Sequence, residues 1–388
     1  MLSPAYREIK RLRSTGGGAA AMSLLKANPP ANEEDAFEAV VCLFVCGEID
    51  DCLHVCRTYG WKSQWASSMT RALIALLEGD AAQALTHART AIGDANAGCD
   101  AAALFLFVLQ ANGLLDEADD YISQRFRTPP VGETLLLTLM AEVAAAMKDW
   151  KQAYQLASAV VSADPDDFRA LMTLGIVNYE AGNMHEALGN ALRARLVRPG
   201  AQPAILQIMR CQNGLGDYYA AIGTFGLLEG ADRIAPEVHV ELGVAYAGLE
   251  RTEQAIAAFR AALASDPPPV TAIRALLKTC AQERNTAEIQ ALAERYRPQI
   301  DNDLECLHTL GLECLDRRDL AAAAHVFDQS FELARAQNLA RDMLPWPVPE
   351  PRLRHDYDQL QLLERRGRLD ASGRSALAVL KRYVNACK

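Results

Sequence analysis

The 388-residue chain has few aromatic side chains, 6 % in all, and almost no runs of β-branched residues, so it lacks what sheets are built from. It has no apolar run of bilayer-spanning length, and its N-terminus lacks the basic, apolar, small-residue order of a secretory signal. A soluble, cytoplasmic protein without a membrane partner is expected. A surplus of positive charge is missing as well. The formal net charge is −10, which argues against nucleic acid as a partner, because such binding needs a basic face that displaces counterions. The ends depart from this balance: Arg7, Lys10, Arg11 and Arg13 outnumber Glu8, and the stretch from Arg352 to Lys388 is also basic. Both read as a solvated arm and tail.

Catalytic motifs are wanting too. The histidines at 54, 87, 185, 239, 308, 325 and 355 form no two-His helical pair and no His-x-Asp motif, the patterns that metal catalysis uses. Gly16-Gly17-Gly18 is not followed by Lys-Ser/Thr, so it reads as a flexible linker and not a phosphate loop. No nucleophile elbow occurs. The expectation is a protein that is not an enzyme and needs no cofactor. Ten cysteines in a chain of this size suit reduced, buried, small hydrophobes better than a disulfide framework.

What the chain does have is alanine, leucine and a period. Half of its residues are apolar, with the strongest helix formers dominant. Leu174-Gly175, Leu242-Gly243 and Leu310-Gly311 recur at intervals of 68, twice 34. With Leu-Gly as positions 7 and 8, segment 236–269 carries Tyr246 at 11, Ala255 at 20, Phe259 at 24, Ala262 at 27 and Pro267 at 32. Segment 168–201 has Gly182, Ala187, Ala194 and Pro199 in the same places, with Asn178 at position 11; 202–235 has Gly216, Ala221 and Phe225; 304–337 has Ala323 and Phe327. Segment 270–303 is degenerate. Upstream, units near 134, 99 and 65 keep Ala153 and Pro165, Gly113 and Ala118, Gly79 and Ala84, with one residue added at Glu133. A unit near 33 keeps Gly47, with Cys52 and Cys56 where Ala and Phe would stand. Small residues at 8 and 20 let two helices approach closely, and a proline at 32 ends the second helix.

This order resembles the tetratricopeptide repeat. The resemblance implies an all-α fold, a right-handed superhelix (α-solenoid) of about eight helix-turn-helix units over 33–337. A basic arm and first helix (1–32) precede the array, and a Pro-rich linker with two capping helices (338–388), anchored by Trp346, follows it. It also implies a groove lined by positions 2, 5, 9, 12 and 13 of the first helices. These are Thr138 and Glu142; Arg169, Met172, Ile176, Tyr179 and Glu180; Leu206, Arg210 and Asn213; Glu237, Val240 and Val244; His308, Leu312 and Asp316. The lining mixes apolar and charged side chains, which suits a protein or peptide ligand with apolar anchors. The Lys/Asn clamp with which some members hold acidic chaperone tails is missing, since Met172, Leu206, Ile176 and Val244 occupy its positions.

The expected function is therefore a peptide- or protein-binding scaffold, with a homodimer through an exposed end as a further possibility. Two alternatives stand beside it. Arg354-His355-Asp356, Gln359-Leu360 and Arg366-Gly367 resemble a linker of bacterial proteins in which such repeats precede an iron- and 2-oxoglutarate-dependent oxygenase or a transferase domain. The chain would then be the recognition part of a larger enzyme. Cys42, Cys46, Cys52 and Cys56 form two i, i+4 pairs flanking Gly47, which could meet as a thiolate metal site or a redox sensor; packing is the plainer reading.

Overall fold

The computed structural model describes residues 2–317, 319–337 and 351–367, and further on 373, 374, 377, 378, 380 and 381. Among them every regular element is a helix, as the composition requires. The chain divides into unit 1, Met1–Cys211, and unit 2, Gln212–Lys388.

Unit 1 begins with a helix pair, Pro4–Ser14 and Gly18–Ala27, and continues with five hairpins, named here by the residue at which each period starts. They are hairpin 33 (Glu33–Cys46, Ile49–Thr58), hairpin 65 (Gln64–Leu77, Ala81–Ile92), hairpin 99 (Cys99–Ala111, Leu115–Arg125), hairpin 134 (Thr134–Ala146, Trp150–Ala163) and hairpin 168 (Phe168–Glu180, Met184–Val197). The helix Gln202–Gly214 runs across the division. Unit 2 holds Tyr218–Phe225, the single turn Gly230–Arg233, hairpin 236 (Pro236–Gly248, Thr252–Ala262), hairpin 270 (Val270–Gln282, Thr286–Arg295), the turn Arg297–Ile300, hairpin 304 (Leu304–Asp316, Leu320–Ala336) and the helix Pro351–Arg365.

Where position 15 is among the described residues, the turn has a left-handed residue there. Glycine supplies it at 47, 79, 113, 182 and 216, with φ between +70° and +85°, whereas Lys148, Glu250 and Arg284 adopt φ of 62°, 58° and 55° at the same place. The next residue often caps the second helix, as Asp80, Asp149, Asp217, Asn285 and Asp319 do by accepting from a backbone N–H three residues on, which satisfies one of the free amides of the first turn.

The close approach of paired helices is set at positions 8 and 20. Ala84, Ala118, Ala153, Ala187, Ala221, Ala255 and Ala323 are all fully buried. At Gly243 and Gly311 a β-carbon would run into the rings of Phe259 and Phe327, whereas at Gly175 it would meet nothing closer than 3.7 Å. Hairpin 270, degenerate in sequence, is nevertheless a full hairpin. Leu277 and Ile289, both buried, stand where the other units have Gly and Ala, which is why the pattern fades there.

The N-terminal stretch is not a solvated arm. Its helices pack on hairpin 33, Tyr6 and Ile9 enter the core, and Arg13 is buried. Gly16 to Gly18 are not a flexible linker either: Gly16, with φ +80°, makes the turn, and the second helix starts at Gly18. At the other end, Leu360, Leu377 and Leu380 join a cluster with Cys314 and Phe327 of hairpin 304. The Pro-rich stretch with Trp346 and most of the second expected tail helix lie outside the described residues.

Candidate peptide-binding groove

The candidate residues sit on the first helices, and the two units present those helices differently. In unit 1 the first helices of alternate hairpins meet. Phe44 of hairpin 33 lies edge-on to Phe107 of hairpin 99 at 5.0 Å between centroids, and the guanidinium of Arg169, from hairpin 168, sits 5.4 Å from the same Phe107 ring. This face is therefore concave, and Pro4–Ser14 lies on it. The Ser3 amide donates to Asp35 (2.8 Å), Arg13 donates to Glu38 (2.9 and 3.2 Å) and to Asp100 (3.0 Å), and Lys10 reaches Asp100 (2.8 Å) and Glu133 (3.0 Å). Burial pushes the Glu38 carboxyl up to about 7 against the pull of Arg13. Burial acts the same way on Asp100, but Arg13 and Lys10 outweigh it and hold that carboxyl below its ordinary range. Beyond the helix the face keeps an opening of about 1270 Å³, floored by Phe44, Phe107, Leu135 and Phe168 and rimmed by Lys26, Arg198 and Asp164.

In unit 2 the first helices of hairpins 270 and 304 border a cavity of about 860 Å³. Lys278 and Gln282, at positions 9 and 13 of one, face Glu305, His308, Leu312 and Asp316, at positions 2, 5, 9 and 13 of the next, with Arg284 and Arg317 at the edge. Lys278 and Gln282 were missed in sequence because hairpin 270 had no legible frame; counting 34 residues on from hairpin 236 finds them. His308 also stands near the Phe327 ring, 6.4 Å between centroids. Position 5 of hairpin 270, Arg274, is tied to Asp303 (2.5 Å) and Glu305 (3.2 Å).

The other candidates divide by what they touch. Glu142 and Arg169 pair with each other at 2.7 and 2.5 Å, so much of their charge is neutralised within the face. Met172 and Tyr179 are half-buried and Ile176 and Glu180 exposed on the same helix. Of the expected groove residues, Thr138, Leu206 and Val240 are buried, although Thr138 still borders the opening of unit 1. Thr138 donates back to the Thr134 carbonyl at 2.9 Å, and Val240, with half-buried Val244 packed beside it, belongs to the cluster that joins hairpins 236 and 270. Arg210 is half-buried and Glu237 exposed. Asn213 serves packing: its amide donates to the Glu241 carbonyl and carboxylate, both at 2.9 Å. Gln110, at the same repeat position, donates to the Leu139 carbonyl. Position 12 thus ties neighbouring first helices together.

The cysteine pairs do not converge. All four are free thiols; Cys42 shares a thiol hydrogen bond with Cys46, as Cys52 does with Cys56, and the Cys52 thiol also reaches the Val40 carbonyl. The bond from Cys42 brings the exposed Cys46 thiol down to about 7. Among the described residues no group of three or more His, Cys, Asp or Glu is placed to hold a metal ion, so the thiolate metal site is withdrawn.

This is the architecture of a tetratricopeptide-repeat protein. Residues 236–269 match the tetratricopeptide repeat family model, the segment that follows the 34-residue frame at most positions. No curated protein matches the chain in sequence. Among solved structures, the anaphase-promoting-complex hetero-tetramer Cut9-Hcn1 is similar, with a TM-score of 0.54 and 14 % identity over 85 % of this chain and 67 % of that one. The human IFIT1 dimer with m7Gppp-AAAA is similar at a TM-score of 0.50 and 16 % identity, over 83 % of this chain and 79 % of that one. A tetratricopeptide repeat protein from Parabacteroides merdae aligns over 70 % of this chain and 93 % of that one, at 12 % identity and a TM-score of 0.46. At these identities the likeness is one of fold. No helix among the described residues is long and apolar enough to cross a membrane.

Proposed function

We propose that the chain is a non-catalytic scaffold that holds a peptide or an extended segment of a partner protein on the first-helix face of unit 2. The observation that carries this is the cavity of about 860 Å³ whose walls come from groove positions of two consecutive hairpins. Leu312 offers apolar contact there, while Lys278, Arg284 and Arg317 stand with Glu305 and Asp316 around it. Such a lining selects an apolar anchor flanked by charges of both signs, the chemistry by which a groove reads an extended ligand. The neighbours do not fix the ligand: one structure contains the protein Hcn1 and another the oligonucleotide m7Gppp-AAAA. The acidic balance of −10 favours the protein ligand here. We place the protein in the cytoplasm, on its free thiols.

The test is selection of peptides from a random display library on the full chain, followed by affinity measurement on variants. Leu312→Asp and Lys278→Glu are expected to weaken the selected peptides by about tenfold or more, the loss of one good contact. Leu196→Asp, on an exposed second-helix site, should change nothing. Equal binding by all four chains would place the ligand elsewhere.

A further inference from the structure

The helix Pro4–Ser14 is held in a manner unlike any repeat. Its inward stripe is Leu2, Ala5, Tyr6, Ile9, Leu12 and Arg13, spaced three or four apart, and Tyr6 and Ile9 are the two residues sunk in the core. Around them the bonds are ionic: four carboxylates, Asp35, Glu38, Asp100 and Glu133, drawn from the starts of three separate hairpins, meet Lys10, Arg13 and the Ser3 amide. Two apolar anchors ringed by oriented charge pairs are how a groove holds an amphipathic helix; the repeats also share ion pairs, such as Glu142–Arg169 and Arg274–Asp303, but these are partly exposed, whereas Arg13 and Glu38 are buried. The contacts are also long-range for so short an element. Residue 13 bonds partners 25 and 87 positions away, and the chain leaves the helix through the turn at Gly16.

Without this helix the same face would present four carboxylates beside an apolar floor. We propose that the first-helix face of unit 1 is a binding site for a basic amphipathic helix, with an aromatic and an aliphatic anchor followed by Lys and Arg one turn on, and that Pro4–Ser14 is its resident ligand. A partner helix of that chemistry gains the face by displacing the resident one. This site is independent of the cavity in unit 2, and either can fail without the other.

The resident helix is tethered, so it competes at a high effective concentration. The test uses the full chain carrying Ile9→Asp, which weakens the helix in place, and a fluorescent synthetic peptide of residues 2–15 as probe. The peptide should bind this variant at least about tenfold more tightly than the unaltered chain, whose face is occupied. A peptide carrying Arg13→Glu should bind neither. Absence of binding to the Ile9→Asp chain, or binding that ignores Arg13→Glu, overturns the proposal. Hydrogen exchange on the unaltered chain decides the matter if the variant fails to fold. Amides of residues 7–14 should exchange at least about tenfold faster than those of residues 37–43, as a locally detaching element does. Exchange of both segments at one rate would make the helix a fixed part of the core and sink the idea.

Discussion

Unit 1 and unit 2 carry the same 34-residue frame, yet one first-helix face holds an extra helix over part of its length and the other holds none among the residues that line its cavity. The difference lies in the residues that start the hairpins. In unit 1 Asp35, Glu38, Asp100 and Glu133 gather around the cations of Pro4–Ser14. In unit 2 the corresponding carboxylates, Asp303 and Glu305, are paired with Arg274 of the neighbouring hairpin and leave the cavity beside them clear. Packing positions make the array, and the charged positions decide what each face can hold.

The largest expected effect contrasts these two ion-pair sets. The Arg13–Glu38 pair is almost wholly buried, with 2 % of each side chain exposed. Glu38→Ala leaves the buried Arg13 guanidinium with Asp100 as its remaining carboxylate, and the expected cost is about 1.5–3 kcal/mol, the loss of one charged hydrogen-bonded partner, limited by whatever it costs the helix to detach. Arg274 is a third exposed, so Arg274→Ala should cost less than about 1 kcal/mol. Denaturant midpoints of the two variants check this. Similar losses for both would erase the distinction drawn between the faces.

The second contrast is within the packing. Gly243 and Gly311 are pinned by Phe259 and Phe327, whereas Gly175 faces Ala191 at position 24 and has room for a methyl group. Gly243→Ala should destabilise by about 1–3 kcal/mol through overpacking. Gly175→Ala should gain about 0.5–1 kcal/mol, because alanine is the better helix former. The same substitution at the same repeat position thus carries opposite signs in the two units, and thermal unfolding of the two variants reads it directly.

The hairpins were legible because small residues at fixed intervals are a local signal, and Gly175, Gly243 and Gly311 gave the frame. Hairpin 270 was not, since Leu277 and Ile289 achieve the same burial with larger groups, and with it Lys278 and Gln282 were lost from the candidate site. The burial of Thr138, Leu206 and Val240 depends on how neighbouring hairpins cover them, which repeat position alone does not state. The placement of Pro4–Ser14 was the least accessible. Its basic character was plain, but the carboxylates that hold Arg13 are 25 and 87 residues away, beyond any pattern along the chain.

The smallest expected effect concerns the turns. In unit 1 four of the five repeat hairpins turn on glycine at position 15 and one on Lys148, while hairpins 236 and 270 of unit 2 turn on Glu250 and Arg284, both with positive φ. A side chain in the left-handed region costs roughly 1–2 kcal/mol, but glycine there loses more chain entropy on folding, which returns part of the difference. Glu250→Gly and Arg284→Gly should therefore each stabilise by only about 0.5 kcal/mol, and Gly182→Ala in unit 1 should lose about 1 kcal/mol. Denaturant midpoints on the single variants check this. If the two glycine substitutions give no gain, the turns of unit 2 are held by contacts of Glu250 and Arg284 themselves, and the two units differ in their turns as well as in their faces.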